Sequence, residues 1–513
     1  MSVRKIIFAV VLIPFFIGNL CAQKEANNWY FGNKAAMHFN TLTGNPVAIG
    51  NSVMNTYEGC SSISNRLTGG LLFYTDGSTI YNRNHVAMTN GTGLNGHNSS
   101  SHSSVVIPYP GNKTKYIIFT IPSTPNNGAK YSVVDMTLSS GLGAVVATQK
   151  NVQLATSPTN TTVYPVPDKC AAISHRNGRD YWVVVQHNTN WSLYAYLVTS
   201  SGVSNRPVIS TVTPIGTGNI RHVGCMKFSG DGKKLVSEYP NNSRSILLFD
   251  FNSSTGVFSN QILLQKTSSW YPYGVEWSPN SKYFYVNSPG IQQFDPYAGT
   301  AAQIMASELS IATYTRYGSL QLGPDKKIYA VRSGSKIISR IDSPDVRGVG
   351  CAFKDTALLL TSNAMGRLGL PTFVQSFFST TTLEVKDACD SSWVKISVKD
   401  TSAVDSVLYV YGDTASKKNS SWNKLDSHIF SGPGKYEVIA YAYYTDKKSK
   451  VVIDTLRDTV EVLQIPKVVL PGDTTICVED SIYGLITNLK YAGTVQRYWQ
   501  DSSQNVWYQI DTI

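Results

Sequence analysis

Charge is scarce in this chain. Asp, Glu, Lys and Arg make up only 15% of its 513 residues, and the formal excess of +11 is scattered without a basic block. Helical heptads are absent, which excludes a coiled coil. There is no CxxC and no His/Cys cluster with metal spacing, so neither a metal nor a cofactor is expected. The GxSxG, HExxH and P-loop signatures are missing, and no paired carboxylates announce acid–base work. Asp231-Gly232-Lys233-Lys234 reads as a hairpin turn and not as a calcium loop. After residue 17 no apolar run is long enough to cross a membrane as a helix.

Glycine and aromatics are plentiful instead: 39 Gly, 30 Tyr and 11% Phe, Trp and Tyr. That is the composition of a folded, turn-rich, all-β chain. The length predicts two or more domains. Arg4 and Lys5 precede an apolar run from Ile6 to Ile17, and Leu20-Cys21-Ala22 places a small residue before Gln23. Residues 1–22 therefore read as a signal peptide cleaved after Ala22, with lipidation at Cys21 as the other reading. The mature chain is then exported, extracellular or on the outer cell surface, without a transmembrane segment. Losing Arg4 and Lys5 lowers the net charge from +11 to +9. A diffuse positive excess suits acidic glycans or a cell surface, and nucleic acid is not an expected partner of an exported chain. Six cysteines remain, an even number that permits disulfides. Cys60, Cys170 and Cys225 occupy one repeated position, however, which favours small buried thiols.

One short stretch recurs seven times: small residues, then an apolar anchor, then a tight turn. The anchors are Ile63, Ile107, Ile173, Phe228, Trp277, Leu322 and Phe373, spaced by 44 to 66 residues. A period in this range with four short strands per unit predicts a seven-bladed β-propeller. Small residues belong where seven inner strands converge on one axis. The turns Ser229-Gly230-Asp231-Gly232, Ser278-Pro279-Asn280-Ser281 and Gly323-Pro324-Asp325-Lys326 supply hairpin dihedrals. The strands of residues 28–57 lack an inner strand of their own, and the seventh copy, Leu370 to Phe378, lacks followers. The two pieces are expected to share one blade and close the ring, leaving no open edge.

After residue 380 the pattern changes. Residues 383–465 alternate like an Ig-type β-sandwich. Residues 467–513 resemble the start of a second sandwich, less than half of a usual module, so the chain is expected to be truncated.

Two resemblances follow. Phe228-Ser229-Gly230-Asp231-Gly232-Lys233 and Trp277-Ser278-Pro279-Asn280-Ser281-Lys282 resemble the repeat of TolB-type and WD40-like propellers. Phe73-Tyr74-Thr75-Asp76-Gly77, Met88-Thr89-Asn90-Gly91 and Gly369 to Phe377 together resemble the N-terminal propeller of large surface proteins of gliding, type IX-secreting bacteria, over residues 28–380. Val410-Tyr411-Gly412-Asp413 and Gly432-Pro433-Gly434-Lys435-Tyr436-Glu437-Val438 resemble two PKD-domain strands, with Tyr411 in place of Phe and Thr414-Ala415 in place of the Asp-Gly turn. The resemblance implies type IX secretion machinery as a partner, although no sorting domain is present. Asp405-Ser406-Val407, Asp454-Thr455-Leu456 and Asp458-Thr459-Val460 resemble the O-glycosylation sequon of the same bacteria; turn dipeptides are the other reading.

Polar and aromatic residues stand just before the inner strands. Glu58, His102, Arg221, His222, Tyr273, Arg316 and Arg367 are expected to ring one mouth of the channel, and Asp76 to project from the same face. Arginine forks and tyrosine faces suit a carboxylate- or hydroxyl-rich ligand such as a glycan; ordinary loop polarity is the plainer reading. The function expected is a non-catalytic, adhesin-like binding protein with a propeller platform and PKD-like spacers. The alternative is a propeller enzyme of lactonase, lyase or glycosidase type, kept open by Glu58, Glu276 and the two histidines. A periplasmic TolB-like partner protein is a third reading, which the trailing sandwiches oppose.

Overall fold

The computed structural model describes residues 24–463, except 41–44, 67, 124–126, 156–163, 176–179, 217, 221–222, 242–243, 267–270, 315, 379–382, 386–387, 390, 399–404 and 446–450. Residues 494–500 and 506–512 are also described. The signal segment lies outside these residues.

The fold is all-β: a propeller followed by sandwich-type sheets. Six inner strands stand where the repeat places them, at Ser61–Ser64, Ser104–Pro108, Cys170–Ser174, Met226–Phe228, Gly274–Trp277 and Tyr317–Leu322. Each opens an antiparallel sheet that runs outward, defining blades one to six. Blades one and two are joined at their outer strands by a parallel bridge, Thr89 to Ala144. Blade seven is the three-stranded sheet Asn28–Phe31, Ala35–Phe39 and Pro46–Ala48.

The seventh copy of the repeat corrects the sequence expectation. Residues 371–374 form no strand, and Gln375–Phe378 is a 3₁₀ turn. Pro371 has no N–H to give a ladder, and the side chains that follow are taken up elsewhere. Gln375 Nε2 donates to Glu276 Oε1 at 2.6 Å, and Ser376 Oγ meets Ser174 Oγ at 2.6 Å. The segment still closes the ring: Thr372 N donates to Cys60 O at 2.8 Å. Trp29 of blade seven is fully buried and packs on Phe373 and on Tyr329 of blade six, with ring centroids 6.0 and 5.6 Å apart. Tyr30 stacks at 4.1 Å on Tyr74 of blade one. Each such aromatic pair contributes about 0.5–1.5 kcal/mol beyond its burial.

The repeated glycines have a steric cause. A Cβ on Gly274 would lie 2.6 Å from Gly318 O, one on Gly318 2.2 Å from Leu368 O, and one on Gly369 1.6 Å from Glu58 O. Each marks where the next blade's backbone passes. Cys60, Cys170, Cys225 and Cys351 are buried free thiols; Cys477 and the side chain of Cys389 lie outside the described residues.

Beyond residue 383 one sheet orders Leu383–Val385, Val394–Val398 and Leu425–His428. A second orders Ala388–Cys389, Val451–Leu463, Gly434–Thr445, Ser406–Val410 and Ser420–Trp422, and Thr494–Gln500 pairs with Val506–Thr512. The two PKD-like stretches meet here. Gly412 has φ +65°, and a Cβ on it would come within 2.4 Å of Glu437 O. Asp413, fully buried, accepts from Ser431 N at 2.8 Å, from Ser431 Oγ at 2.5 Å and from His428 Nε2 at 3.0 Å.

Candidate functional site at one end of the axis

The loops that lead into the inner strands meet at one end of the propeller and are stitched into a ring. Gly59 N donates to Ser100 O at 2.8 Å, His102 N to Asp168 O at 2.9 Å, and Cys225 N to Tyr273 O at 3.2 Å. Ser319 N donates to Leu368 O at 2.7 Å, and Leu368 N to Tyr57 O at 2.9 Å. Two side chains complete the circle: Lys169 Nζ donates to Glu238 O, and Asn287 Nδ2 to Tyr317 O at 2.8 Å.

Inside the ring five blades converge on a pair of carboxylates. Ser101 Oγ stands 3.3 Å from Glu58 Oε2 and 3.3 Å from Asp168 Oδ2, and it accepts from Gly224 N at 3.1 Å. Ser101 N reaches the same Asp168 oxygen at 3.2 Å. A serine hydroxyl carries one proton, so it can serve only one of the two acids at a time. The Tyr273 hydroxyl lies beside Glu58 and Asp168 without completing a well-formed hydrogen bond. Glu58 is 8% exposed, Asp168 2% and Tyr273 7%.

This geometry sets the electrostatics. Burial first, and the charge of Asp168 second, push the Glu58 carboxyl up to about 7. Burial pushes Glu238 up to about 8; its Oε2 accepts from Cys225 N at 3.1 Å, while its Oε1 meets no hydrogen-bond partner among the described residues. Lys169, between Asp168 and Glu238, is wholly buried with Nζ 3.7 Å from the Tyr239 ring centre. Burial pulls it down to about 8 against those two carboxylates.

A second polar cluster also bridges the inner strands. Lys227 Nζ donates to Glu276 Oε2 at 2.6 Å, Leu320 O at 2.7 Å and Gln321 Oε1 at 2.7 Å. Glu276 also accepts from Trp277 N and Leu322 N, each at 2.8 Å, and from Gln375. Every donor of the ammonium and both oxygens of the carboxylate are used, so Glu276, one basis of the enzyme alternative, is a structural lock. A cavity of about 10 Å³ adjoins it, lined by Ala171, Ala172, Met226, Phe228, Thr372 and Phe373 with Lys227 and Gln375. It falls below the ~300 Å³ at which ligand pockets begin.

The expected mouth residues separate. Glu58 and Tyr273 come together. His102 is buried and turned inward, with Nδ1 donating to Cys170 O at 2.7 Å; burial and the two lysines hold it down to about 3, so it is a neutral strut and not a ligand contact. Asp76 is buried too, and its Oδ1 caps its own turn, accepting from Ser78 N, Ser78 Oγ and Thr79 N, each at 2.8 Å. Arg316 is exposed, and Arg367 is half-buried over the Tyr57 ring at 5.9 Å. Arg221 and His222 lie outside the described residues. The absence of paired carboxylates, read from the sequence, is corrected by Asp168. The signal was available: Glu58, His102 and Asp168 each stand five residues before an anchor.

No family model matches the chain, and no curated protein matches it. Among solved structures it is similar to the periplasmic gluconolactonase of Pseudomonas aeruginosa, at 11% identity over 85% of this chain and 96% of that one, with a TM-score of 0.33. It is similar to hydrazine synthase of Kuenenia stuttgartiensis at 11% identity over 63% and 96%, with a TM-score of 0.36. It is also similar to the extracellular domain of BT4673 from B. thetaiotaomicron, at 11% identity and a TM-score of 0.32, covering 85% of this chain and 56% of that one. Nothing about the chemistry of the site follows from likenesses this distant.

Proposed function

We propose that the chain is an exported, non-catalytic surface-binding protein. The propeller of residues 28–380 presents its axial mouth to a glycan or other cell-surface ligand. A PKD/Ig-like module at 383–465 and a partial Ig-like module at 467–513 act as spacers, and type IX machinery carries the chain out. The observation that carries this reading is the surface around the mouth. Tyr57 and Tyr271, each 48% exposed, flank the buried pair, with Arg316 exposed and Arg367 over Tyr57. Open aromatic faces and guanidinium groups stack on and bind a flat, oxygen-rich ligand. A ring stitched by backbone hydrogen bonds favours surface contact over engulfing a scissile bond.

One observation favours the enzyme reading: Glu58 and Asp168 share one hydroxyl, and Glu58 is held near 7, where a carboxyl works as a general acid or base. One experiment separates the two. The mature chain is incubated with a glycan array and with chromogenic lactones and glycosides. Retention on glycans without turnover supports the platform; turnover abolished by Glu58→Gln supports the enzyme.

A further inference from the structure

The positive excess that looks diffuse along the sequence is gathered by the fold on one sector of the mouth. Backbone hydrogen bonds tie the loops of blades six, seven and one together there. Ser333 N donates to Arg316 O at 3.1 Å, and Gly334 N to Gly366 O at 3.0 Å. Asn33 N donates to Met365 O at 2.9 Å, Lys34 N to Met54 O at 2.8 Å, and Thr56 N to Gly32 O at 2.9 Å. The stretches 32–34, 51–58, 313–318, 332–336 and 361–369 thus form one continuous rim. Lys34, Arg316 and Lys336 are exposed on it, and Arg367 is half-buried. Their sequences hold a single acid, Glu58, which is 8% exposed. The fifth cation, Arg332, is buried and paired with Asp355. The other four make no ion pair among the described residues. The Arg367 guanidinium lies 5.9 Å from the ring centre of Tyr57, which is 48% exposed. The ring steadies the guanidinium and leaves its donors open to an anion.

We propose that this rim binds an acidic polysaccharide, whose anionic groups meet Arg316, Arg367, Lys34 and Lys336 while a sugar ring lies on Tyr57. This rests on the platform reading and names the charge of its ligand and the sector of the mouth that receives it. The four cations stand on four separate loops, so a chain that repeats its anion meets them better than a single small anion does. The arginines take an anion through paired donors, and the lysines add charge at the flanks. The exposed face of Tyr57 offers a sugar the apolar surface that charge alone lacks.

The test is calorimetric titration of the mature full chain with four probes. Oligogalacturonate and dextran sulfate carry carboxylates and sulfates; methyl-esterified oligogalacturonate and plain dextran are their neutral counterparts. Binding of either polyanion, at least about tenfold tighter than its neutral counterpart and weakened as salt rises from about 50 to about 300 mM, supports the proposal. Which polyanion binds tells carboxylate from sulfate. Replacing Arg316 and Arg367 together by Ala should weaken it by about tenfold or more, and Lys34→Gln with Lys336→Gln by about threefold or more. Lys233→Gln with Lys282→Gln removes the same charge from exposed turns that follow the inner strands, and should change binding by less than about twofold. An equal loss in that control pair overturns the rim as a site, because net charge alone would then account for binding. Retention on phosphatidylglycerol vesicles with neither polyanion bound overturns it as well. Glycan-array retention of neutral sugars alone overturns the anionic ligand and leaves the platform standing, whereas retention of no glycan of any kind removes the platform too.

Discussion

The propeller carries two buried polar clusters that bridge its blades, built from the same inner strands and opposite in character. In the Lys227–Glu276 cluster charges balance and every group has its partner. In the Glu58–Asp168 cluster two acids share one hydroxyl, and a tyrosine stands by without a well-formed bond. Burial is equally deep in both. The difference lies in sign: the first cluster sets opposite charges against each other and holds blades together, whereas the second brings two acids together and raises Glu58.

The largest expected effect is on closure, on which both clusters depend. Deleting residues 368–380 removes Gln375 from Glu276 and Thr372 from Cys60. It should abolish the cooperative melting transition of the propeller; a native melt in that deletion would break the account of the ring. Next comes the lock. Glu276→Ala strands a buried lysine and should cost about 3–5 kcal/mol, measured by denaturant midpoint at any neutral pH. A loss under 1 kcal/mol, within the range of an exposed pair, would erase the contrast.

The two-acid cluster should behave differently. An acid whose folded value is raised holds its proton more tightly when folded. Its stabilising contribution is in place below the ordinary carboxylate range, near 4.5, and is lost as pH climbs through about 7. Glu58→Gln should therefore gain on the wild type across that window, by on the order of 2 kcal/mol, in paired melts at several pH values. A flat difference would count against the pair. Asp413 sharpens the comparison from the other direction. Its bonds to Ser431 and His428 hold its carboxyl below the usual range. That contribution is present above the unfolded value and lost as pH falls through the folded one, so acid should loosen this region. Asp413→Asn should cost about 1–3 kcal/mol there, read from hydrogen exchange of residues 408–439. The smallest effect on stability is at the rim: Arg316→Ala should leave the melt within about 0.5 kcal/mol while reducing glycan retention.

Much of the fold was legible because crowding at an axis restricts residue size in a way that repeats along the chain. Gly274, Gly318 and Gly369 are small for a reason a sequence displays. The seventh inner strand was misread since Pro371 sits inside a pattern that otherwise matched, and a missing N–H outweighs a matching anchor. The site was harder. Reading residues just before the strands found Glu58 and Tyr273 but gave the same weight to His102, and the turn after the second strand added Asp76; these two side chains serve the next blade and their own turn. Whether such a group points to the ring or to a neighbour depends on long-range register. Asp168 was passed over because Lys169 and Cys170 drew the alignment of that copy, although the offset from Ile173 matches the offset of Glu58 from Ile63. Lys227, Glu276 and Gln321 each stand one residue before an anchor, a second offset that identifies the lock.

The central claim is that Glu58 and Asp168 form one coupled pair. The direct measurement is the titration of glutamate carboxyl carbons by NMR in selectively labelled mature chain, beside Glu58→Gln and Asp168→Asn. The account predicts a resonance titrating near 7, absent from Glu58→Gln and moved toward the ordinary range in Asp168→Asn. A Glu58 resonance that titrates in the ordinary carboxylate range and ignores Asp168→Asn would contradict it.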